Sequence, residues 1–481
     1  MRTFHNIVLI AVILSSFIFG ASTLTRGHEW GDDFASYLMQ AQSILDGNTD
    51  EFIEHNTFTI FESSFQIGPV AYPWGYPLIL TPALFIKGLH PLTLKLPALF
   101  LFSGFLISLY LLAKKRLSSN ESLLLISLFA FNPMLIKFLD QILSDIPLLF
   151  FTVFALLCIL EFENKQTRWS NVLTGIVLFF AFFVRTTGII LLASFLAYKA
   201  FSFYFKKEKR KGVFLNSIKI LLSFSALLFV TSILLPNGQG SYFEQVKGLT
   251  FAILLDNIFN YFYILGSFFG NGPAWTYLYY VFVIFFAAGI WARRHADLLL
   301  IFFFFAYFAS MIFWPAWQGI RFAFPLLPIF VYFVFQGIRL TIEELPEKIQ
   351  KIGWGLSFVL WVFIVITFIS TTGTQARTNL KNDRKINGPF DSYSDDVFRY
   401  IQAETEPDSV IVFFKPRAMR LFTGRDSIMV LECENILKGD YFVQHLKQEY
   451  SQILPDDIDA CNLPLENVFE NQRFIVYKVS K

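Results

Sequence analysis

The stretch Gly31-Asp32-Asp33-Phe34-Ala35-Ser36-Tyr37 decides how this chain is read, because it sets two adjacent carboxylates directly after the first long apolar run. Ionised side chains are expensive inside hydrocarbon, so that run has to reach water here. Arg2 is the only charge before the run, and positive charge stays on the inner side of a membrane. The Asp pair is therefore expected outside. Ala21-Ser22-Thr23 would tolerate signal cleavage. The run is long for a signal segment, however, and many apolar runs follow, so it is expected to remain as a first span.

Working outward, 55% of the residues are apolar, only 16% are charged, and 61 are Phe. The apolar residues gather in runs near the ~20 that a helix needs to cross a bilayer. A single soluble core is excluded, and a net charge of +2 offers no global basic field for nucleic acid. The sequence predicts a polytopic α-helical membrane protein of about 11 transmembrane helices. Spans are expected near 7–24, 92–113, 121–136, 146–162, 170–184, 188–205, 213–235, 276–292, 297–313, 324–340 and 353–371. With these spans, Lys114-Lys115-Arg116, Lys165/Arg168, the Lys206-to-Lys211 cluster, Arg293-Arg294 and Lys348/Lys351 all fall on one side, taken as the cytoplasm. The run 248–269, with Asp256, Asn257 and Asn260, would reverse that parity if it crossed; it is expected at the outer interface, as a re-entrant segment.

Two regions outside the spans stand out. In the first external loop, 25–91, the spacing of Phe34, Tyr37, Leu38, Ala41 and Leu45 predicts a helix over 33–46 lying on the membrane surface. A polar stretch from Asn48 to Gln66 follows, then the turn Tyr72-Pro73-Trp74-Gly75-Tyr76-Pro77. Beyond the transmembrane part, 1–371, residues 372–481 read as a small extracytoplasmic α/β domain. Strands are expected at Val410–Phe414, Ile428–Leu431 and Phe474–Val479, with helices near 394–404 and 439–450. Cys433 and Cys461 could pair only outside the cytoplasm, and Cys158 lies in an apolar run.

The candidate chemistry lies in the few charges at the outer ends of spans. These are Asp32 and Asp33, Lys137, Asp140 and Asp145, Arg185, and Arg321. Such a group could hold a lipid phosphate with its cations and activate a hydroxyl with a carboxylate. Each has a plainer reading. Asp32, Asp33 and Asp145 could cap helices, the arginines could snorkel, and Lys137 could simply pair with Asp140. Two adjacent carboxylates exceed what a cap needs, and like charges so close can raise one of them toward a general base's range. His28 and Glu29 are ordinary ligand types for a divalent metal, yet their spacing matches no metal signature, so no cofactor is assigned.

Taken in order, Asp33 with Tyr37, Asp46-Gly47, the Tyr72–Pro77 turn, Ser144-Asp145-Ile146-Pro147, Arg185-Thr186-Thr187-Gly188 and Arg321-Phe322-Ala323-Phe324-Pro325-Leu326-Leu327-Pro328 resemble the C-type (GT-C fold) membrane glycosyltransferases. The nearest group is family 39, the protein mannosyltransferase and aminoarabinose transferase kind. The resemblance covers nearly all the spans and, more loosely, Lys415-Pro416 and Thr423-Gly424-Arg425. It implies inverting transfer of a sugar from a polyprenyl-phosphate donor to a lipid, glycan or protein hydroxyl, on the outer face of the plasma (inner) membrane. Asp33 falls on the family's catalytic Asp, while Phe34 stands where members commonly carry Glu. Either Asp32 supplies a second carboxylate or one suffices, and the base is open between the two. Arg185 and Arg321, with Lys137, would bind the donor phosphate, and Asp145, Tyr37 and Tyr72 would support the site. Two other classes stay in view, a lipid-linked glycan flippase and a glycan polymerase or ligase using a diphosphate donor.

Overall fold

The computed structural model describes residues 2–165, 169–205, 210–236, 248–448 and 450–480. Arg168 and Lys206 to Lys209 of the basic clusters fall outside the described residues. Within the described residues, nine helices are long and apolar enough to cross a membrane, among them Phe251–Phe268. Setting that one aside and adding the bent pair Ser119–Ala130 with Pro133–Leu139 and the shorter Ser170–Val184 and Leu298–Ile312 gives the eleven crossings expected from sequence.

Phe251–Phe268 is fastened to its neighbours by side-chain amides. Asn257 Nδ2 donates to the carbonyls of Ile312 (3.0 Å) and Trp314 (2.8 Å), and the Phe268 carbonyl accepts from Asn132 Nδ2 at 2.8 Å. The segment is thus held at its middle by the chain after helix Leu298–Ile312 and at its C-terminal end by the break of the bent pair. The bend beside it has a local cause. Pro133 opens the second half-helix, and Asn132 Oδ1 accepts from the amides of Met134 and Leu135, so one helix stops and another starts at a new angle of 53°. Elsewhere the bundle closes backbone to backbone. Helices Pro273–Arg293 and Leu327–Glu343 cross where a Cβ on Gly289 would stand 1.9 Å from the Phe333 carbonyl oxygen, and one on Gly337 would stand 1.8 Å from that of Phe285.

Helix Asp33–Asp46 forms over the expected residues, with Gln42, Leu45 and Asp46 exposed, and is packed by protein on more than one side. Phe34, Ala35, Ser36, Tyr37, Leu38, Gln40, Ala41 and Ser43 are all buried, covered by helix Gly75–Lys87 on one side and helix Pro416–Thr423 on another. The polar stretch after it forms a further helix, Thr49–Glu62, whose Phe52, Asn56, Thr59 and Ile60 face inward.

The last membrane helix runs Glu347–Lys381, ten residues beyond the expected end of its span. After helix Ser392–Glu404 comes a five-stranded sheet built from β1 (Val410–Phe413), β2 (Asp426–Ile428), β3 (Tyr441–His445), β4 (Leu465–Glu470) and β5 (Phe474–Val479), in the order β2-β1-β3-β5-β4. β1 is parallel to β2 and β3, while β5 is antiparallel to β3 and β4. The helix expected near 439–450 is replaced by β3, because Phe442 and Val443 pair centrally between two strands and bury on opposite sides. Cys433 and Cys461 form a disulfide.

Candidate active site

The loop after the first span is held by a buried ion pair. Lys95 Nζ, from helix Pro91–Ala113, donates to Asp140 Oδ1 (2.6 Å), the Gly27 carbonyl (2.6 Å) and the Thr25 carbonyl (3.0 Å), while the Thr25 amide donates to the same carboxylate at 2.6 Å. An unpaired ammonium here would be costly, so the pair and its carbonyls act as one clamp. His28 adds a second hold. Its Nε2 accepts from the Ile142 amide at 2.9 Å, its Nδ1 donates to the Glu29 carbonyl at 2.6 Å, and its ring stacks on Phe34 at 4.2 Å. Burial lowers the His28 imidazole to a pKa of about 3, so it stays neutral. Among the described residues, no three His, Cys, Asp or Glu side chains converge as metal ligands.

Beyond these clamps, Asp33 turns into a cavity of about 600 Å³. Its carboxylate accepts from Tyr72 Oη at 2.6 Å and from Arg321 Nη1 at 3.1 Å; Arg321 Nη2 continues to Gln318 Oε1 at 2.5 Å. Across the cavity Arg185 Nη1 donates to Asp145 Oδ1 at 2.5 Å, and its guanidinium lies 4.9 Å from the Phe322 ring. Tyr37 shares a hydrogen bond with Ser144 Oγ at 2.8 Å and packs its ring 4.6 Å from that of Tyr72. Asp33, Tyr37, Tyr72, Asp145, Arg185 and Arg321 come from five separate stretches of sequence and line one space.

Burial alone would raise the Asp33 carboxyl. The Arg321 charge, the Tyr72 hydrogen bond and the Arg417 charge together overcome it and hold Asp33 below its usual value. Asp32 goes the other way, raised chiefly by burial against the charges of Lys415 and Arg417.

Two candidates are not brought to this cavity. Asp32 is 8% exposed and faces the C-terminal domain, where it accepts from the Arg417 amide at 3.2 Å and sits 3.6 Å from Lys415 Nζ. It makes no side-chain cap on its own helix either. Lys137 lies half-exposed and 3.8 Å from Glu29, since Asp140, its expected partner, is taken by Lys95. Sequence reading also missed Lys95 and Arg417. Both are fully buried cations whose partners lie far along the chain, and only the charge of Lys95 inside an apolar run could have signalled one of them.

Residues 72–236, which include the Tyr72 turn, Asp145 and Arg185, match the family described as dolichyl-phosphate-mannose-protein mannosyltransferase. A search of curated proteins gives no significant match. In overall fold the chain is similar to ArnT from Cupriavidus metallidurans in its apo state. The TM-score is 0.60 at 12% identity, over 99% of this chain and 98% of that one. It is similarly close to ArnT bound to undecaprenyl phosphate, with a TM-score of 0.59 at 12% identity over the same shares. The apo oligosaccharyltransferase of Archaeoglobus fulgidus aligns with a TM-score of 0.63 at 12% identity, over 100% of this chain and 75% of that one. These likenesses show that the chain has the fold of the C-type membrane glycosyltransferases. Residues 72–236, about a third of the chain, are what is similar to the protein mannosyltransferase family.

Proposed function

We propose that the chain transfers a sugar, with inversion, from a polyprenyl-phosphate donor to an acceptor hydroxyl on the side of the membrane that carries the sheet domain. The observation that carries the reading is one cavity presenting a carboxylate, Asp33, together with two guanidinium groups, Arg185 and Arg321. Asp33 takes the proton of the acceptor hydroxyl. The hydroxyl oxygen forms the new bond to the anomeric carbon as the bond from that carbon to the phosphate oxygen breaks, and the electron pair leaves with the lipid phosphate. Negative charge grows on that phosphate during the step, so guanidinium groups aimed at it stabilise the transition state more than the bound donor.

The resting hydrogen bonds fit this order of events. Arg321 pairs with Asp33, and a donor phosphate competing for Arg321 would restore basicity to a carboxylate still oriented by Tyr72. Asp145 fixes the Arg185 fork in the same way.

The side of the membrane is supported by two features. The disulfide Cys433–Cys461 fits an oxidising compartment, and Lys114-Lys115-Arg116 with Arg293-Arg294 lie at the opposite end of the bundle. The plasma (inner) membrane is the bilayer proposed, with a lipid, glycan or protein as acceptor. The test is to offer membranes containing the protein a panel of radiolabelled polyprenyl-phosphate sugars and to extract lipid, glycan and protein fractions. Label should enter one fraction and depend on Asp33; folded protein that labels none of them would refute the reading.

A further inference from the structure

Among the sheet-domain side chains that reach the cavity wall, one is a cation. Arg417 is fully buried at the second position of helix Pro416–Thr423. Its backbone amide donates to Asp32, its Nε to Asn56 Oδ1 at 3.1 Å, and its Nη2 to the Pro69 carbonyl, with the guanidinium 5.7 Å from the Tyr72 ring. Among the described residues its Nη1 has no hydrogen-bond partner. A buried guanidinium with an N–H unused is costly, and the carboxylates its charge acts on are Asp32 and Asp33.

The neighbouring glycine shows what the place does. Gly68 lines the cavity at φ +151°, and a Cβ there would lie 3.0 Å from Arg417 Nη1 and 3.1 Å from Tyr72 Oη. The absent side chain is what lets the guanidinium close against the hydroxyl that donates to Asp33. We propose that Arg417 is a positioning residue for the transfer reaction, by which the sheet domain locks Tyr72 onto Asp33, and that Asp32 serves as its anchor and not as a second base.

Asp32 accepts the Arg417 amide at the positive end of that helix, a stabilising place for a carboxylate. Lys415 closes the other side of the anchor. The groups around Asp33 are then Arg321 from the segment Gly319–Leu326, Tyr72 from the turn before helix Gly75–Lys87, Tyr37 on its own helix, Asp32 beside it, the Arg185–Asp145 pair across the cavity, and Arg417 from the sheet domain. Arg417 contributes positive charge to that set, so removing it should make Asp33 easier to protonate.

The inference rests on Asp33 as the base, and the test separates the two. Full-length protein in membranes is assayed across pH as wild type, Asp33→Asn, Arg417→Met, Arg417→Lys and Tyr72→Phe. Arg417→Met should lower kcat about tenfold, leave donor KM within about threefold, and move the acid limb of kcat to higher pH. Arg417→Lys should keep the limb near its wild-type position, because the charge remains. A merely structural pin would not move the limb. If Arg417→Met does not accumulate, Arg417→Lys combined with Tyr72→Phe carries the test, and their losses should fail to multiply. An inactive Asp33→Asn beside an unmoved limb in Arg417→Met, or multiplicative losses in the cycle, would overturn the positioning role alone. A fully active Asp33→Asn would overturn the base assignment beneath it.

Discussion

The two ends of the helix bundle both hold arginine–carboxylate clusters, and they differ in what is left over. At the end away from the sheet domain, Asp297 accepts from Arg116 Nε (2.6 Å), Arg293 Nε (2.7 Å) and Tyr332 Oη (2.7 Å), while Gln336 donates to the Arg116 carbonyl. The void directly beside this cluster is about 20 Å³, and the larger cavity at this end, about 340 Å³, opens beside Arg339 and Glu121 and is not lined by Asp297. At the other end, Asp33 and Arg321 face about 600 Å³ of space, and each is about a quarter exposed to it. The same pairing is therefore a rivet where both carboxylate oxygens are held by side chains and a working site where space remains on one side. Buried charge by itself does not distinguish them. The room beside it does.

Replacing one carboxylate at each end tests the contrast most severely. Asp33→Asn keeps shape but cannot accept a proton, so transfer should fall by ~10²–10⁴ while the protein still accumulates and binds donor. Paired assays of turnover and donor binding check this. Asp297→Asn should do the reverse, costing about 3–5 kcal/mol of stability because Arg116 and Arg293 lose their shared anion, with kcat unchanged in whatever fraction folds. Thermal unfolding in detergent measures the first, and activity per folded molecule the second.

Arg321→Lys and Arg185→Lys should each lose about 10–100-fold in kcat, since lysine keeps charge but not the two-pronged geometry. Wild-type kcat and donor KM in both would move the phosphate elsewhere and blur the contrast.

The smallest effect is on stability alone. His28 is neutral when folded, with a pKa of about 3, against ~6.5 for an unfolded histidine. Between those values only the unfolded chain takes up the proton. The histidine's contribution is thus complete above pH 6.5 and is lost as pH falls toward 3, at about 1.4 kcal/mol per pH unit. Unfolding curves at pH 7 and pH 5 should show this loss, and His28→Gln should flatten it.

Much of this was legible in the sequence, for reasons that also mark where legibility ends. A membrane span announces itself through some twenty residues of one character, and basic clusters orient it, so the bundle could be read directly. Asp33, Arg185 and Arg321 were visible because a charge at the end of an apolar run is rare. The direction a side chain faces was not visible. Asp32 and Asp33 are neighbours that point into different environments, and only the packing of helix Pro416–Thr423 decides which one meets the cavity. Arg417 sits in a stretch where cations are common, and its partners Asn56 and Pro69 lie about 350 residues earlier, so nothing local marks it as buried. The strand at Tyr441–His445 was mistaken for helix because its apolar residues are consecutive and fit either period until neighbouring strands are in place.

The helix Glu347–Lys381 is 35 residues long, or about 50 Å, well beyond the ~30 Å of a hydrocarbon core. In its last turn and just beyond, the chain is fastened to the end of the first span: Asn379 Nδ2 donates to the Thr23 carbonyl at 2.5 Å, Arg384 Nη1 to that of Ala21 at 3.3 Å, and the Arg26 amide to that of Arg384 at 2.7 Å. It works as an indexing shaft. One residue inserted above the membrane would turn everything downstream by about 100°, and seven would return it to within about 20° of its starting angle. Segment length between Thr371 and Lys381 is thereby coupled to the angular setting of Arg417 against Asp32, and chain length there is constrained by phase more than by distance.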